Sequence, residues 1–305
     1  MIPALVLTAG HATRLRPLSR VRAKAAVPVA GQPLVHRIVR WLAAAGVRDL
    51  VLNLHHLPHT IAAIVGDGAH LGVGVRYSWE NPILGSAGGP RRALPLLGAP
   101  RFLIVNGDTL TDLHLPDLLA AHERSGALVT MAVVPNTAPD KYGGVLIDDR
   151  GTVTGFTRRG SHEPSFHFIG VQVAEAAAFA DLPDDAPCES VGALYPRLIR
   201  TQPGSIHAWA GRAEFFDIGT PADYVATCAR VADREGQPLP DFIRWDDVEI
   251  DSRARVERCI VTDGVRLPPG VWTDLIVRRL EGDLEPNEIR RDDLAVAPLH
   301  WRQDR

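Results

Sequence analysis

Along the first half of the chain, short β-branched runs alternate with stretches whose apolar residues recur at helical spacing. ALVLTA (4–9), DLVLNL (49–54) and VGVRYSW (73–79) have the length and composition of strands. Between the first two, PLVHRIVRWLAAAG sets Leu34, Ile38, Leu42 and Ala45 on one face, with Pro33 near the first turn and Gly46 as the stop. This predicts a helix covering one sheet face, and HTIAAIVGDG predicts another. The alternation is that of βα units around a largely parallel sheet. In RFLIVNGDTL, Phe102–Val105 form a central-strand pattern ending in Asn106, Gly107 and Asp108. Asp108 is thereby expected at a strand's carboxyl end, where open α/β sheets bind ligands.

Further on, NPILGSAGGP reads as a loop before a short helix, RRALPLL. ALVTMAVV predicts a strand, and GGVLIDD with GTVTGF predicts a hairpin turned by Asp149, Arg150 and Gly151, so the sheet is expected to become mixed. The strand FHFIGVQV is followed by helices AEAAAFA and VGALYPRLIR, strands SIHAWA and AEFFDIG, and a helix with Thr220 as N-cap and Pro221 at N1. The segment GQPLP (236–240) marks a boundary between a domain at 1–235 and a smaller unit at 241–305. In that unit Val248, Ala254, Ile260, Val265 and Val271 recur about every six positions, the spacing of left-handed β-helix coils. The same residues also read as irregular β-hairpins.

Composition narrows the function classes. The 305 residues are 46% hydrophobic and 23% charged, as in soluble globular proteins. With 33 Lys and Arg against 36 Asp and Glu, the net charge of −3 provides no basic field for nucleic acid or an anionic membrane, so a small-molecule partner is expected. Three scattered cysteines, Cys188, Cys228 and Cys259, form no CxxC pair and fit a reducing cytoplasm. The start, MIPALVLTAG, reads as a buried strand rather than a signal peptide. Among twelve histidines, His55, His56 and His59 cluster in NLHHLPH, readable as metal ligands or as a polar strand-to-helix loop.

Candidate chemistry concentrates in LTAGHATRLRPLSRVRAKAAVPVAGQPLV (7–35), directly after the first strand. Its small residues Thr8, Ala9, Gly10 and Ala12 allow backbone N–H groups to approach phosphate oxygens, and Arg14, Arg16 and Lys24 supply positive charge. On loop and charge alone, a surface loop with solvated arginines reads equally well. The stretch closely resembles the signature of sugar-1-phosphate nucleotidyltransferases, G-x-G-T-R-L-x-P-L-T, then P-K, then P-V-x-G-x-P. The resemblance continues in order through ENPILGSAGGPRRAL, VNGDTL and FFDIGTPADY to residue 232, and a hexapeptide-like tail is frequent in such enzymes.

The resemblance implies an α/β fold with a Rossmann-like mixed, mostly parallel sheet flanked by helices, and a C-terminal β-helix-like unit. It implies that a nucleoside triphosphate and a sugar 1-phosphate give a nucleotide sugar and pyrophosphate. Carried onto this chain, Arg14 would hold the leaving phosphates and Lys24 the phosphates at the reacting centre. Asp108 and Asp217 would ligate Mg²⁺, an ion suited to oxygen ligands. The nucleotide would lie against Thr8, Ala9, Gly10, His11, Ala12 and Thr13 and against Gly85, Ser86 and Ala87. The sugar would lie near Gly144, His167 and Gly170. Asp217 also reads as a favourable acid before the helix at Thr220, and the glycines as turn residues.

Two signature positions depart from the pattern: Ala12 replaces a glycine, harmless only if its φ is negative, and Ala23 replaces a proline. The sugar-binding Glu-Lys-Pro of many members is absent from GFTRRGSHEP, and a usual Asn-Ala-Gly reads Phe168-Ile169-Gly170; His167, Arg158 or Arg159 would substitute. LGSAGG after Trp79-Glu80-Asn81 most resembles guanylyltransferases for mannose or heptose 1-phosphates, acting on GTP. A uridylyltransferase for an N-acetylmuramate-type amino-sugar phosphate is the neighbouring reading, and a non-catalytic nucleotide-sugar-binding regulator a third. A glycosyltransferase would want an Asp-x-Asp pair, which Asn106-Gly107-Asp108 does not supply. The exposed edges of the tail suggest a homo-oligomer.

Overall fold

A computed structural model describes residues 2–238 and 240–300. Met1, Leu239 and residues 301–305, which fall in the expected domain ranges and linker, lie outside the described residues. The chain forms two compact units that interleave along the sequence: Met1–Gly10 with Val35–Phe216, and His11–Leu34 with Asp217–Arg305. The expected division at 236–240 follows chain order only. The signature segment from His11 and the helix after Thr220 group with the tail instead, because their polar and apolar partners lie there.

The first unit is built on a nine-stranded sheet. Its strands are β1 (Ala4–Leu7), β2 (Asp49–Leu54), β3 (Gly74–Trp79), β4 (Arg101–Asn106), β5 (Val129–Pro135), β6 (Gly144–Ile147), β7 (Val153–Thr157), β8 (Phe166–Glu175) and β9 (Ile206–Ala210). They run in the order β7-β6-β8-β4-β1-β2-β3, with β5 paired to β8 and β9. The β4-β1-β2-β3 block is parallel. β8 enters antiparallel to β4, and β6 with β7 form the expected antiparallel hairpin, so the sheet is mixed as expected. The helices of this unit are α1 (Leu34–Ala44), α2 (Pro58–Val65), α3 (Gly85–Leu97), α4 (Leu115–Ser125) and α5 (Tyr195–Thr201). Phe102, fully buried near the start of β4, lies against Phe179 in a core cluster that also holds Leu5, Val51, Ile104 and Tyr195; burying such a side chain contributes about 1.5–3 kcal/mol.

Two local expectations are corrected. The stretch 85–90, expected as loop, is the first half of α3. Its small residues let the helix lie against the sheet: a Cβ on Gly89 would come within 2.6 Å of a Glu80 carboxylate oxygen. AEAAAFA is not an α-helix. Glu175 still belongs to β8, held by the Arg101 guanidinium at 2.6 Å, and only a single 3₁₀ turn, Ala176–Ala178, follows before Phe179 enters the core.

In the second unit, α6 (Pro221–Arg234) begins as expected, with the Thr220 hydroxyl accepting the Asp223 amide at 3.2 Å. The tail holds β10 (Ile243–Arg244), β11 (Glu249–Ile250), β12 (Ala254–Glu257), β13 (Ile260–Val261), β14 (Arg266–Leu267), β15 (Gly270–Thr273) and β16 (Leu275–Arg279). Three parallel ladders, β10-β13-β16, β11-β14 and β12-β15, wind it into two β-helix-like coils with the start of a third. The antiparallel strands β17 (Ile289–Arg291) and β18 (Leu294–Pro298) close the ladder at β16. Val248 and Val265 belong to the core of the coil, whereas the expected Ile260 is buried outside that cluster, its neighbours Cys259 and Val261 taking the inward positions, and Val271 is 70% exposed. Trp272 fills that inward position, since its larger apolar surface gains more from burial.

Candidate functional site

In the first unit, the carboxyl ends of β1, β2 and β3 are joined by one buried polar chain. The Thr8 amide donates to Asn53 Oδ1 at 2.6 Å and the Thr8 hydroxyl donates to the Asn53 carbonyl. Asn53 Nδ2 in turn donates to Glu80 Oε1 at 2.8 Å, and the other Glu80 oxygen accepts the Leu84 amide at 2.8 Å. His55, one of the clustered histidines, bonds the Glu80 carbonyl at 2.9 Å through Nδ1. Glu80 is a buried carboxylate whose hydrogen bonds set both the start of the loop after β1 and the residue before α3. Sequence reading missed Asn53 and Glu80; a polar residue ending an apolar strand was the available signal.

Of the α3 residues assigned to the nucleotide, Gly85 has φ +76, and a Cβ there would meet Glu189 Oε1 at 2.6 Å. Only glycine fits this position without displacement. The Ser86 hydroxyl donates to Glu189 Oε2 at 2.6 Å and accepts the Ser190 amide at 2.9 Å. Ala87 is packed in the core with its amide bonded to the Cys188 carbonyl at 2.9 Å, so its side chain is not presented at the surface. Ala9 is also buried, whereas Gly10, His11 and Thr13 are exposed and Ala12 is half-buried.

Asp108 follows β4 as expected. Gly107 brings it close to the loop after β1: its amide donates to the Leu7 carbonyl at 2.9 Å, and a Cβ would lie 2.5 Å from that oxygen. The Thr109 hydroxyl donates to Asp108 Oδ1 at 3.2 Å. Thr109–Thr111 pairs with Phe215–Asp217, the strand whose last residue opens the second unit.

The residues expected on the sugar side lie on β6 and β8. Gly144 is buried, its amide donating to the Thr157 hydroxyl at 3.0 Å. Gly170, at φ +79, sits in the register shift of β8 against the Asn106 side chain. His167 packs against both Tyr142 and Phe215, with ring centroids at 3.9 and 4.9 Å, and those two rings also meet each other edge-on at 5.8 Å. Burial, opposed by a backbone hydrogen bond at Gly143 and aided by the Lys141 charge, pushes its imidazole down to about 4, so the ring is neutral at pH 7. Tyr142 and Phe215 were not read from sequence, because the stack joins residues far apart in the chain.

In the second unit, Arg14 and Asp217 meet beside Gly219. A Cβ at Gly219 would lie 3.4 Å from Asp217 Oδ2, 3.5 Å from an Arg14 guanidinium nitrogen and 3.0 Å from Asp223 Oδ2. Lys24, half-buried, opens a 3₁₀ turn running to Ala26. Ala12 adopts φ +48, the unfavourable case for an alanine in place of glycine, and the Ser19 hydroxyl holds its carbonyl at 2.9 Å.

The first unit is an α/β sheet that gathers polar groups at its strand carboxyl ends, and the second carries the arginine-rich loop. The family model for nucleotidyl transferases matches residues 3–233, and the chain belongs to that family. It is 28% identical over 270 residues to a mannose-1-phosphate guanylyltransferase of Mycobacterium tuberculosis, a match covering 88% of this chain and 72% of that protein. Over 127 residues it is 42% identical to an N-acetylmuramate alpha-1-phosphate uridylyltransferase of Neisseria meningitidis serogroup B, covering 41% of this chain and 53% of that protein. Its fold is shared by HddC from Yersinia pseudotuberculosis, solved in complex with GMP-PN: the TM-score is 0.67 at 24% identity, over 76% of this chain and 100% of that one.

Proposed function

We propose that this protein joins a nucleoside triphosphate to a sugar 1-phosphate, releasing pyrophosphate, with GTP and mannose 1-phosphate as the preferred pair. The carrying observation is the polar chain Thr8–Asn53–Glu80, which fixes the root of the arginine-rich signature loop at the carboxyl ends of three parallel strands. In the reaction, a phosphate oxygen of the sugar 1-phosphate attacks the α-phosphorus, and the bond from that phosphorus to the bridging β-oxygen breaks as pyrophosphate leaves. Arg14 and Lys24 are assigned to the charge on the phosphates.

Asp108 and Asp217 are assigned as ligands of Mg²⁺. Among the described residues no three His, Cys, Asp or Glu side chains form a metal cage. Two carboxylates alone suit a Mg²⁺ that takes its remaining oxygens from substrate phosphates and water. Bound there, the ion supplies neutralisation of phosphate charge. The stack of Tyr142, His167 and Phe215 offers an aromatic surface on the sugar side, where the usual Glu-Lys-Pro is missing.

The guanylyl reading rests on the relative matched over most of the chain, and the uridylyl reading for an amino-sugar phosphate on the more identical but shorter match. Pyrophosphate release over a grid of nucleoside triphosphates and hexose, heptose and amino-sugar 1-phosphates distinguishes them. Release in one combination, abolished by Asp108→Asn and by Asp217→Asn in folded protein, is expected. Silence throughout, with nucleotide sugars still bound, would replace this reading with that of a regulatory binding protein.

A further inference from the structure

The tail's carboxylates hold the arginines of the signature loop. Glu285, in the turn between β16 and β17, accepts from Arg20 Nε and lies 3.4 Å from an Arg16 guanidinium nitrogen. Its side chain is 6% exposed, whereas those of Arg16 and Arg20 are 39% and 44% exposed. Burial alone would raise the Glu285 carboxyl, but the Arg20 hydrogen bond and both guanidinium charges hold it below its ordinary value.

Glu285 is itself fixed in place. Its amide donates to Glu288 Oε2 at 2.7 Å, and Glu288 takes Arg278 with both oxygens, at 2.7 and 2.6 Å, in a fully buried pair. Further along the same loop, Arg22 donates to both oxygens of Asp263, at 2.6 and 2.7 Å, and also to Asp246. Arg16, Arg20 and Arg22 are therefore occupied by carboxylates of the coil and its closing turn, while Arg14, two residues before Arg16, lies beside Asp217.

We propose that Glu285 is a positioning residue for the signature loop, so that the β-helix-like tail is a working part of the active site rather than only an assembly module. This rests on the reading of residues 11–22 as the triphosphate loop. Glu285 touches no reacting atom in this scheme; it holds Arg16 and Arg20, and through them the backbone that presents Arg14. Without the carboxylate, two neighbouring guanidiniums would repel each other and the loop would be tied to the tail at Arg22 but no longer at Arg16 and Arg20, the part next to Arg14.

The test is amide hydrogen exchange on the full-length, substrate-free protein, comparing wild type with Glu285→Gln. Exchange across 11–22 is expected to speed up about tenfold, the scale of one lost charge-assisted hydrogen bond, while peptides of β1, β2 and β4 stay unchanged. In the active enzyme, KM for the nucleoside triphosphate should rise about tenfold with a smaller change in kcat. Unchanged exchange across 11–22, or faster exchange spread evenly over the whole chain, would overturn the proposal. If Glu285→Gln does not fold, Arg20→Gln decides: local loosening of 11–22 supports the proposal and unchanged protection rejects it. Because exchange is read without substrate, failure here is distinct from a wild-type enzyme that is silent in the substrate grid.

Discussion

The indole N–H of Trp245 donates to the hydroxyl of Tyr224 at 2.9 Å, and that hydroxyl donates to the carbonyl of Pro28. Tyr224 is fully buried on α6, Trp245 directly follows β10, and Pro28 belongs to the P-V-x-G part of the signature, so one oxygen ties three segments of the second unit together. Tyr224→Phe keeps the ring but leaves a buried carbonyl and a buried indole N–H unsatisfied. A loss of about 1–3 kcal/mol in denaturant unfolding is expected; a change below the error of the measurement would mean that water satisfies both groups.

Ala12 sits in the left-handed region at φ +48, where the family pattern has glycine. A Cβ costs about 1–2 kcal/mol in that conformation, part of which is offset by the greater freedom of an unfolded glycine. Ala12→Gly is therefore expected to raise unfolding stability by up to about 1 kcal/mol. A fall in stability would show that the Ala12 methyl packs better than its backbone conformation suggests.

Glu80 accepts from two donors, Asn53 Nδ2 and the Leu84 amide. Glu80→Gln leaves one acceptor oxygen for the two and turns an NH₂ group toward a donor. Stability should drop by about 1–3 kcal/mol. Because Asn53 also holds Thr8, KM for the nucleoside triphosphate should rise as well. A variant with wild-type unfolding and wild-type KM would remove Glu80 from the positioning chain.

The parts legible in sequence are those set by local periodicity and by short-range order. Leu34, Ile38 and Leu42 gave the core face of α1, and the run Phe102–Val105 gave the central strand with Asp108 at its end. What escaped depends on partners far apart in the chain. The small residues of α3 read as loop because helix propensity ranks glycine low, yet tertiary packing against the sheet outweighs it. Asn53, Glu80 and Glu189 carry no motif; each matters through a partner 27 to 103 residues distant. The grouping of the signature loop with the tail is likewise invisible to any window, since Arg20 and Glu285 are 265 residues apart.

His167 makes a pH prediction. Its folded value of about 4 lies below the ordinary histidine value of 6.5, with burial the largest cause. Between those values the unfolded chain binds a proton that the folded chain does not, so stability falls as pH drops from about 6.5 toward 4, by up to about 3 kcal/mol from this residue. His36, His122 and His207 are lowered in the same direction, chiefly by burial, and add to the slope. His167→Phe keeps an aromatic ring against Tyr142 and Phe215 and removes the titration. Urea unfolding between about pH 7.5 and 4.5 should give a shallower acid slope for the variant than for the wild type, with the remaining slope carried by the other three histidines. Parallel slopes would mean that His167 protonates in the folded stack at its ordinary value, and that the stack is open to water.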